Sequence, residues 1–152
     1  MGNQTINPKT AIILGASGLV GRHCLKALLQ ETSYTEIIAL VRKPLKVNHP
    51  KLKTYNIDFD TPELYKELIK GDDVYCCLGT TFLKSPKKED YFRIDFTYPF
   101  EIAKIAKENG AERFALVSAL NANPKSFLFY SRVKGKLEKS LESLNYKGLY
   151  IF

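Results

Sequence analysis

Ser118, Tyr130 and Lys134 are residue types that together can deliver a proton to a carbonyl oxygen. Reducing a carbonyl requires a hydride donor and a proton for the developing alkoxide. A tyrosine hydroxyl can give that proton, but its ordinary pKa of ~10 is too high for ready exchange near neutrality. A neighbouring ammonium favours the phenolate and eases the transfer. Tyr130 and Lys134 stand four residues apart in a helical pattern, so they share a face. A pair with this spacing is expected about once by chance in such a composition, and its weight comes from placement. Ser118 ends a predicted strand, at the carboxyl edge where parallel sheets bind ligands. Tyr130 would then give the proton, Lys134 would also hold a ribose, and Ser118 would hold the substrate oxygen. The plainer alternatives are a packing tyrosine, a Lys134–Glu138 pair one turn apart, and a strand-end hydroxyl.

The hydride donor has its own signature. Gly15-Ala16-Ser17-Gly18-Leu19-Val20-Gly21 lies where the first predicted strand hands over to the first helix. Such a turn brings backbone N–H groups and the positive end of a helix dipole onto a diphosphate. Glycine is needed where a Cβ would meet the phosphates or where φ is positive. This glycine spacing arises about 0.03 times by chance in a chain of this composition. At the end of the second strand, where an NAD site usually carries an acid, the chain has Arg42 and Lys43. A guanidinium there suits a 2′-phosphate, so the cofactor expected is NADP(H). Asp58, after the third strand, is placed to meet the adenine edge. Leu78-Gly79-Thr80, after the fourth, would pass beside the nicotinamide ribose.

These residues need a sheet to position them. Short apolar runs alternate with amphipathic stretches, the pattern of βαβ units. The spacing predicts strands over 11–14, 36–41, 53–57, 73–78, 114–117 and 148–152. Helices are expected over 19–29, 61–71, 91–108 and 127–144. The second has a Thr61 N-cap, Pro62 and a terminal Gly71, and the third is bent near Pro99. Six strands alternating with helices fit an α/β doubly wound parallel sheet in the order 3-2-1-4-5-6, forming one domain.

The 152 residues, 45% hydrophobic and 26% charged, suit a single globular domain. No run approaches the ~20 apolar residues of a membrane span. The net charge is +7, yet the cations are scattered and no nucleic-acid motif is present. Three cysteines without a C-x-x-C pair read as reduced thiols of a cytoplasmic protein, and two histidines make a metal site a poor expectation. The partner expected is a small-molecule substrate, with no nucleic acid or membrane, on a monomer or homodimer.

The glycine turn, Ser118 and Tyr130-Ser131-Arg132-Val133-Lys134 together resemble the short-chain dehydrogenase/reductase superfamily. Cys77-Leu78-Gly79-Thr80-Thr81, Arg93-Ile94-Asp95 and Phe127-Leu128-Phe129-Tyr130 are similar to its atypical branch around the Tat-interacting-protein oxidoreductase. The resemblance runs from Thr10 onward. It implies a Rossmann fold, NADP(H) binding at Gly15, Ser17, Gly18, Leu19, Val20 and Gly21, and Ser118, Tyr130 and Lys134 as the triad. Relatives use an Asn after strand four to position a water, and Asp95 is its match here. Relatives also continue past the sixth strand into a substrate lobe, so residues 1–152 are expected to form the cofactor domain without that lobe. The activity implied is hydride transfer between NADPH and a small carbonyl or alcohol. A non-catalytic NADP-binding redox sensor or protein-interaction module is the alternative.

Overall fold

A computed structural model describes residues 7–81 and 83–152. Six strands form one parallel sheet: β1 (Lys9–Leu14), β2 (Tyr34–Val41), β3 (Leu52–Asn56), β4 (Asp73–Cys76), β5 (Arg113–Leu116) and β6 (Gly148–Ile151). Their order is 3-2-1-4-5-6, as the sequence pattern implies. β1 is central, with Ala11–Leu14 in register with Ile37–Leu40 of β2 and Asp73–Cys76 of β4. A strand covered on both faces must be apolar at every position, which is why Ala11-Ile12-Ile13-Leu14 does not alternate.

Strand alternation splits the core into two layers. Ile12, Leu14, Ile38, Leu40, Val74, Cys76, Phe114 and Leu116 face one side. There they meet Ile102, Ala103 and Ala106 of one helix and Leu137 and Leu141 of another. Ala11, Ile13, Ile37, Ala39 and Val41 face the other side, under Leu25 and Leu28. Each fully buried aliphatic side chain stabilises this arrangement by about 1.5–3 kcal/mol. The helices are α1 (Leu19–Gln30), α2 (Lys88–Phe92), α3 (Tyr98–Glu108) and α4 (Phe129–Glu142). The stripes of α3 and α4 are therefore spent on the sheet.

The structure corrects several expectations. Four α-helices lie among the described residues, but not over the four ranges expected. The helix expected over 61–71 is two 3₁₀ turns, Pro62–Leu64 and Lys66–Leu68. Leu64, assigned to its apolar stripe, is 84% exposed. Asn109, at the end of α3, donates from Nδ2 to the carbonyls of Lys66 and Ile69 at 2.9 and 2.8 Å. That contact satisfies groups an α-helix would have used internally. Strands β4 and β5 also stop earlier than expected, at Cys76 and Leu116.

The helix expected over 91–108 starts at Lys88 and is interrupted by a π turn, Arg93–Thr97. Pro99 supplies the reason. It lacks the N–H that α geometry would aim at the Asp95 carbonyl, and its ring would collide with that carbonyl. The helix widens instead, and Tyr98 N–H donates to the Arg93 carbonyl. The widening turns Asp95 fully into the protein.

At the amino edge of the sheet, Arg113 donates to both oxygens of Asp73 at 2.6 and 2.8 Å, and Tyr34 O–H donates to the same carboxylate. This bidentate clamp ties β5 to β4 at the end opposite the site.

Candidate cofactor and active site

The first strand delivers the glycine turn to the carboxyl edge of the sheet. Gly15 has φ +75, and a Cβ there would stand 2.5 Å from the carbonyl oxygen of Cys77. Gly21 is tighter, since its Cβ would lie 2.0 Å from the Gly15 carbonyl oxygen. Both glycines are demanded by the protein's own packing. Gly18 is not. It caps α1 with φ −73 and ψ 172, which any residue adopts. The nearest atom to its missing Cβ is 3.4 Å away. Space kept open at a helix N-terminus without an internal reason is a cradle for an approaching phosphate. Gly18→Ala should therefore leave the melting temperature nearly unchanged while weakening NADPH binding at least ~10-fold by calorimetry. Gly21→Ala should instead lower stability, because backbone must move to admit the methyl group.

A cleft of about 570 Å³ opens in front of this turn. The turn contributes Gly15, Ala16, Ser17 and Gly18 to it, the end of β2 contributes Arg42 and Lys43, and the segment after β4 contributes Leu78, Gly79 and Thr80. All of these except Ala16 were named from the sequence. Leu19 and Val20 are exposed at the start of α1, and Gly21 serves packing rather than the cleft wall. Asp58 lines an adjoining cavity of about 360 Å³ with Asp60 and Asp90, and Arg42, Phe59, Ser85, Ile94 and Tyr98 border both spaces. Its Oδ1 accepts the Asp60 N–H at 3.0 Å.

Sequence reasoning missed Phe59, Lys84, Ser85, Ile94 and Tyr98, which also line the cleft. Phe59 and Tyr98 are stacked with ring centroids 5.3 Å apart. Ile94 stood in the quoted Arg93-Ile94-Asp95 run without a role, no motif marked the other four, and only the topology brings the five together. With Lys84 counted, three cations and no carboxylate line the cleft.

The catalytic candidates have unexpected partners. Lys134 Nζ lies 2.7 Å from Asp95 Oδ1, and their side chains are 4% and 0% exposed. The other Asp95 oxygen accepts the Thr80 N–H at 2.9 Å. Burial holds the Asp95 carboxyl above its usual range, with Lys134 and the Thr80 N–H pulling it back only in part. Gly79 closes this nest. A Cβ on it would sit 3.5 Å from Asp95 Oδ1 and 3.6 Å from Lys134 Nζ.

Glu138 is therefore not the partner of Lys134. It accepts a hydrogen bond from the Ser118 hydroxyl instead. Tyr130 is 45% exposed at the start of α4, with its ring 5.7 Å from that of buried Tyr91. The structure thus gathers Lys134, Asp95, Gly79 and Thr80 into one group. Among the described residues, no hydrogen bond joins Ser118, Tyr130 and Lys134 to one another.

Sheet order and glycine turn define a doubly wound domain of the Rossmann type. The chain belongs to the NAD(P)H-binding family, whose pattern matches residues 15–146. It is 32% identical over 148 residues to protein HTATIP2 of Rattus norvegicus, covering 95% of this chain and 61% of that protein. It is 36% identical over 141 residues to the mitochondrial protein FMP52 of Debaryomyces hansenii, covering 90% and 62% respectively. The chain thus spans about three fifths of the length of these curated relatives. The Bordetella bronchiseptica enzyme WbmH, solved with NAD+, shares the fold with a TM-score of 0.77 at 18% identity, covering 95% of this chain and 55% of that one.

The relatives correct the expected cytoplasmic location, because the FMP52 proteins are named as mitochondrial. Free thiols report a reducing environment and apolar runs report membrane spanning, and neither assigns a compartment. No helix among the described residues is long and apolar enough to cross a membrane.

Proposed function

We propose that this chain is the cofactor-binding domain of an NADP-dependent oxidoreductase acting on a small carbonyl or alcohol. The observation that carries this reading is the charge of the cleft: Arg42, Lys43 and Lys84 line it and no carboxylate does. An acid at the adenosine ribose would repel a 2′-phosphate, whereas a guanidinium can bind it through two parallel hydrogen bonds. Gly15, Ser17 and Gly18, with the N–H groups that open α1 at Leu19 and Val20, hold the diphosphate. Gly79 lets the backbone approach the nicotinamide ribose above Lys134. The nicotinamide, when bound, supplies the hydride.

Tyr130 gives the proton to the substrate oxygen, and its exposure leaves the hydroxyl open to substrate. Ser118 orients that oxygen after turning away from Glu138. Lys134 contributes positive charge and a ribose contact from beneath Gly79, anchored by Asp95.

The same contacts support a second reading. Lys134 and Ser118 are each committed to a carboxylate, as they would be in a non-catalytic NADP-binding sensor or interaction module. NADPH consumption over a panel of aldehydes and ketones separates the two. An enzyme should turn over NADPH, and Tyr130→Phe should slow it by about 10²–10⁴-fold while leaving NADPH binding intact. Binding without turnover in either form would establish the module.

A further inference from the structure

Two of the three cysteines meet beside the glycine turn. Gly21 and Cys24 lie one turn apart on α1, on the side that buries Gly21, Leu25 and Leu28. That side is drawn unusually close to the sheet, as the steric limits at Gly21 and Gly15 show. Gly21 rests on the Gly15 carbonyl, and Gly15 rests on the Cys77 carbonyl. From the strand side, Cys77 follows Tyr75 by two residues, and Tyr75 packs with Cys24 against the layer beneath α1. Each thiol is close enough to shift the acidity of the other. Both are half-buried and unbridged, and Cys77 also lines the cleft. Cys76 belongs to the opposite layer and is fully buried there.

We propose that Cys24 and Cys77 form a reversible disulfide with a low-molecular-weight disulfide as oxidant, and that this bond and a bound nicotinamide dinucleotide exclude each other. The neighbouring Cys77 thiol draws the Cys24 thiol below its usual range, which makes Cys24 the attacking group. Its thiolate attacks one sulfur of glutathione disulfide and expels one glutathione thiolate. Cys77 then loses its proton to solvent and attacks the Cys24 sulfur, expelling the second. Two protein thiols are oxidised by two electrons, and one glutathione disulfide becomes two glutathiones. Cys76 stays out, because burial pushes its thiol up to about 11 and turns it to the other face.

The exclusion follows from position. Cys77 lines the cleft that a dinucleotide would fill, and the peptide that carries it continues into Leu78-Gly79, the backbone that a ribose would touch. This second clause rests on the proposed cofactor reading, and the disulfide itself does not.

The test is oxidation of the purified chain with glutathione disulfide, followed by denaturation, alkylation with N-ethylmaleimide and intact-mass measurement. The expected product carries one maleimide instead of three and yields a crosslinked Cys24–Cys77 peptide. Dithiothreitol should reverse it. Cys24→Ser and Cys77→Ser should each abolish it, while Cys76→Ser should not. A Cys76–Cys77 crosslink, a stable glutathione adduct, or three free thiols after exposure would each overturn the pair.

NADPH at about 100 times its dissociation constant should slow crosslinking at least ~10-fold, and the crosslinked chain should bind NADPH at least ~10-fold more weakly. Crosslinking that ignores NADPH, in a chain shown by calorimetry to bind it, would overturn the exclusion alone. A chain that binds no NADPH would overturn the cofactor reading and the exclusion, leaving the disulfide to the mass measurement.

Discussion

NADPH should raise the melting temperature of this protein more than NADH does at equal concentration, and Arg42→Glu should abolish the difference. The two cofactors differ only by the 2′-phosphate, so any difference in stabilisation reads that group alone. Arg42 is exposed, lines the cleft at the end of β2, and has no ion-pair partner among the described residues. Its fork is free to take a phosphate. Replacing it with glutamate removes a charge-assisted contact and places a negative charge where the phosphate would lie. NADPH affinity should fall by about 10- to 100-fold. NADH should be little affected, since a carboxylate can accept a hydrogen bond from the ribose hydroxyl. The difference should also shrink as salt is raised, because the group is open to solvent. Equal stabilisation of the unmodified protein by both cofactors would defeat the 2′-phosphate argument. Lys84→Ala is the companion measurement. Lys84 stands after β4, across the cleft from Arg42, and a loss confined to NADPH would place it on the same phosphate.

The part of this site that depends on local order was legible in the sequence. Gly15, Gly18 and Gly21 follow a buried strand and open a helix, and Gly21 answers to Gly15 within seven residues, whereas the Cys77 carbonyl that limits Gly15 is distant in the chain. Arg42 and Lys43 were equally visible, because the end of the second strand has a fixed place in a doubly wound sheet. The strand order followed from the same alternation.

What stayed hidden depends on distance in the chain. Asp95 and Lys134 are on different helices, and their pairing follows from a widened turn upstream of Pro99. Periodicity assumes uniform helical geometry, so it carried the bend at Pro99 but not the inward rotation of Asp95. The one available signal was an acid at position 95, where the family resemblance implies an asparagine. The segment 61–71 failed for a related reason. Thr61-Pro62-Glu63 is a good helix start, but the segment is too short to form an α-helix without strong packing. Its carbonyls found Asn109 instead. Ser118 was expected to end strand five, which stops two residues earlier at Leu116, and its bond to Glu138 spans a helix and a loop that no local pattern encodes.

The largest effect on stability is expected at Lys134. Lys134→Met keeps the length and apolar stem of the side chain but leaves the Asp95 carboxylate buried without a cation. Breaking a buried pair from one side typically costs about 3–5 kcal/mol, which in a domain of this size lowers the melting temperature by roughly 6–20 °C. The loss should depend on pH with a definite sign. Burial already holds the Asp95 carboxyl above its usual range, and removing the ammonium lets it climb further. A carboxyl with a raised folded pKa binds its proton more tightly in the folded state than in the unfolded one. Stability is then lost as pH rises through the folded value and regained as pH falls. Lys134→Met should therefore be most impaired at alkaline pH and recover on acidification, as Asp95 becomes protonated. Adding Asp95→Asn should remove most of the pH dependence and part of the cost, because an amide still accepts the Thr80 N–H and carries no charge. Asp95→Asn alone should destabilise too, since it strands the ammonium. Thermal melts of the four proteins across this pH range complete a double-mutant cycle. Additive losses with no recovery on acidification would mean that Lys134 and Asp95 are not a buried ion pair, and the anchoring of Lys134 beneath Gly79 would have to be abandoned.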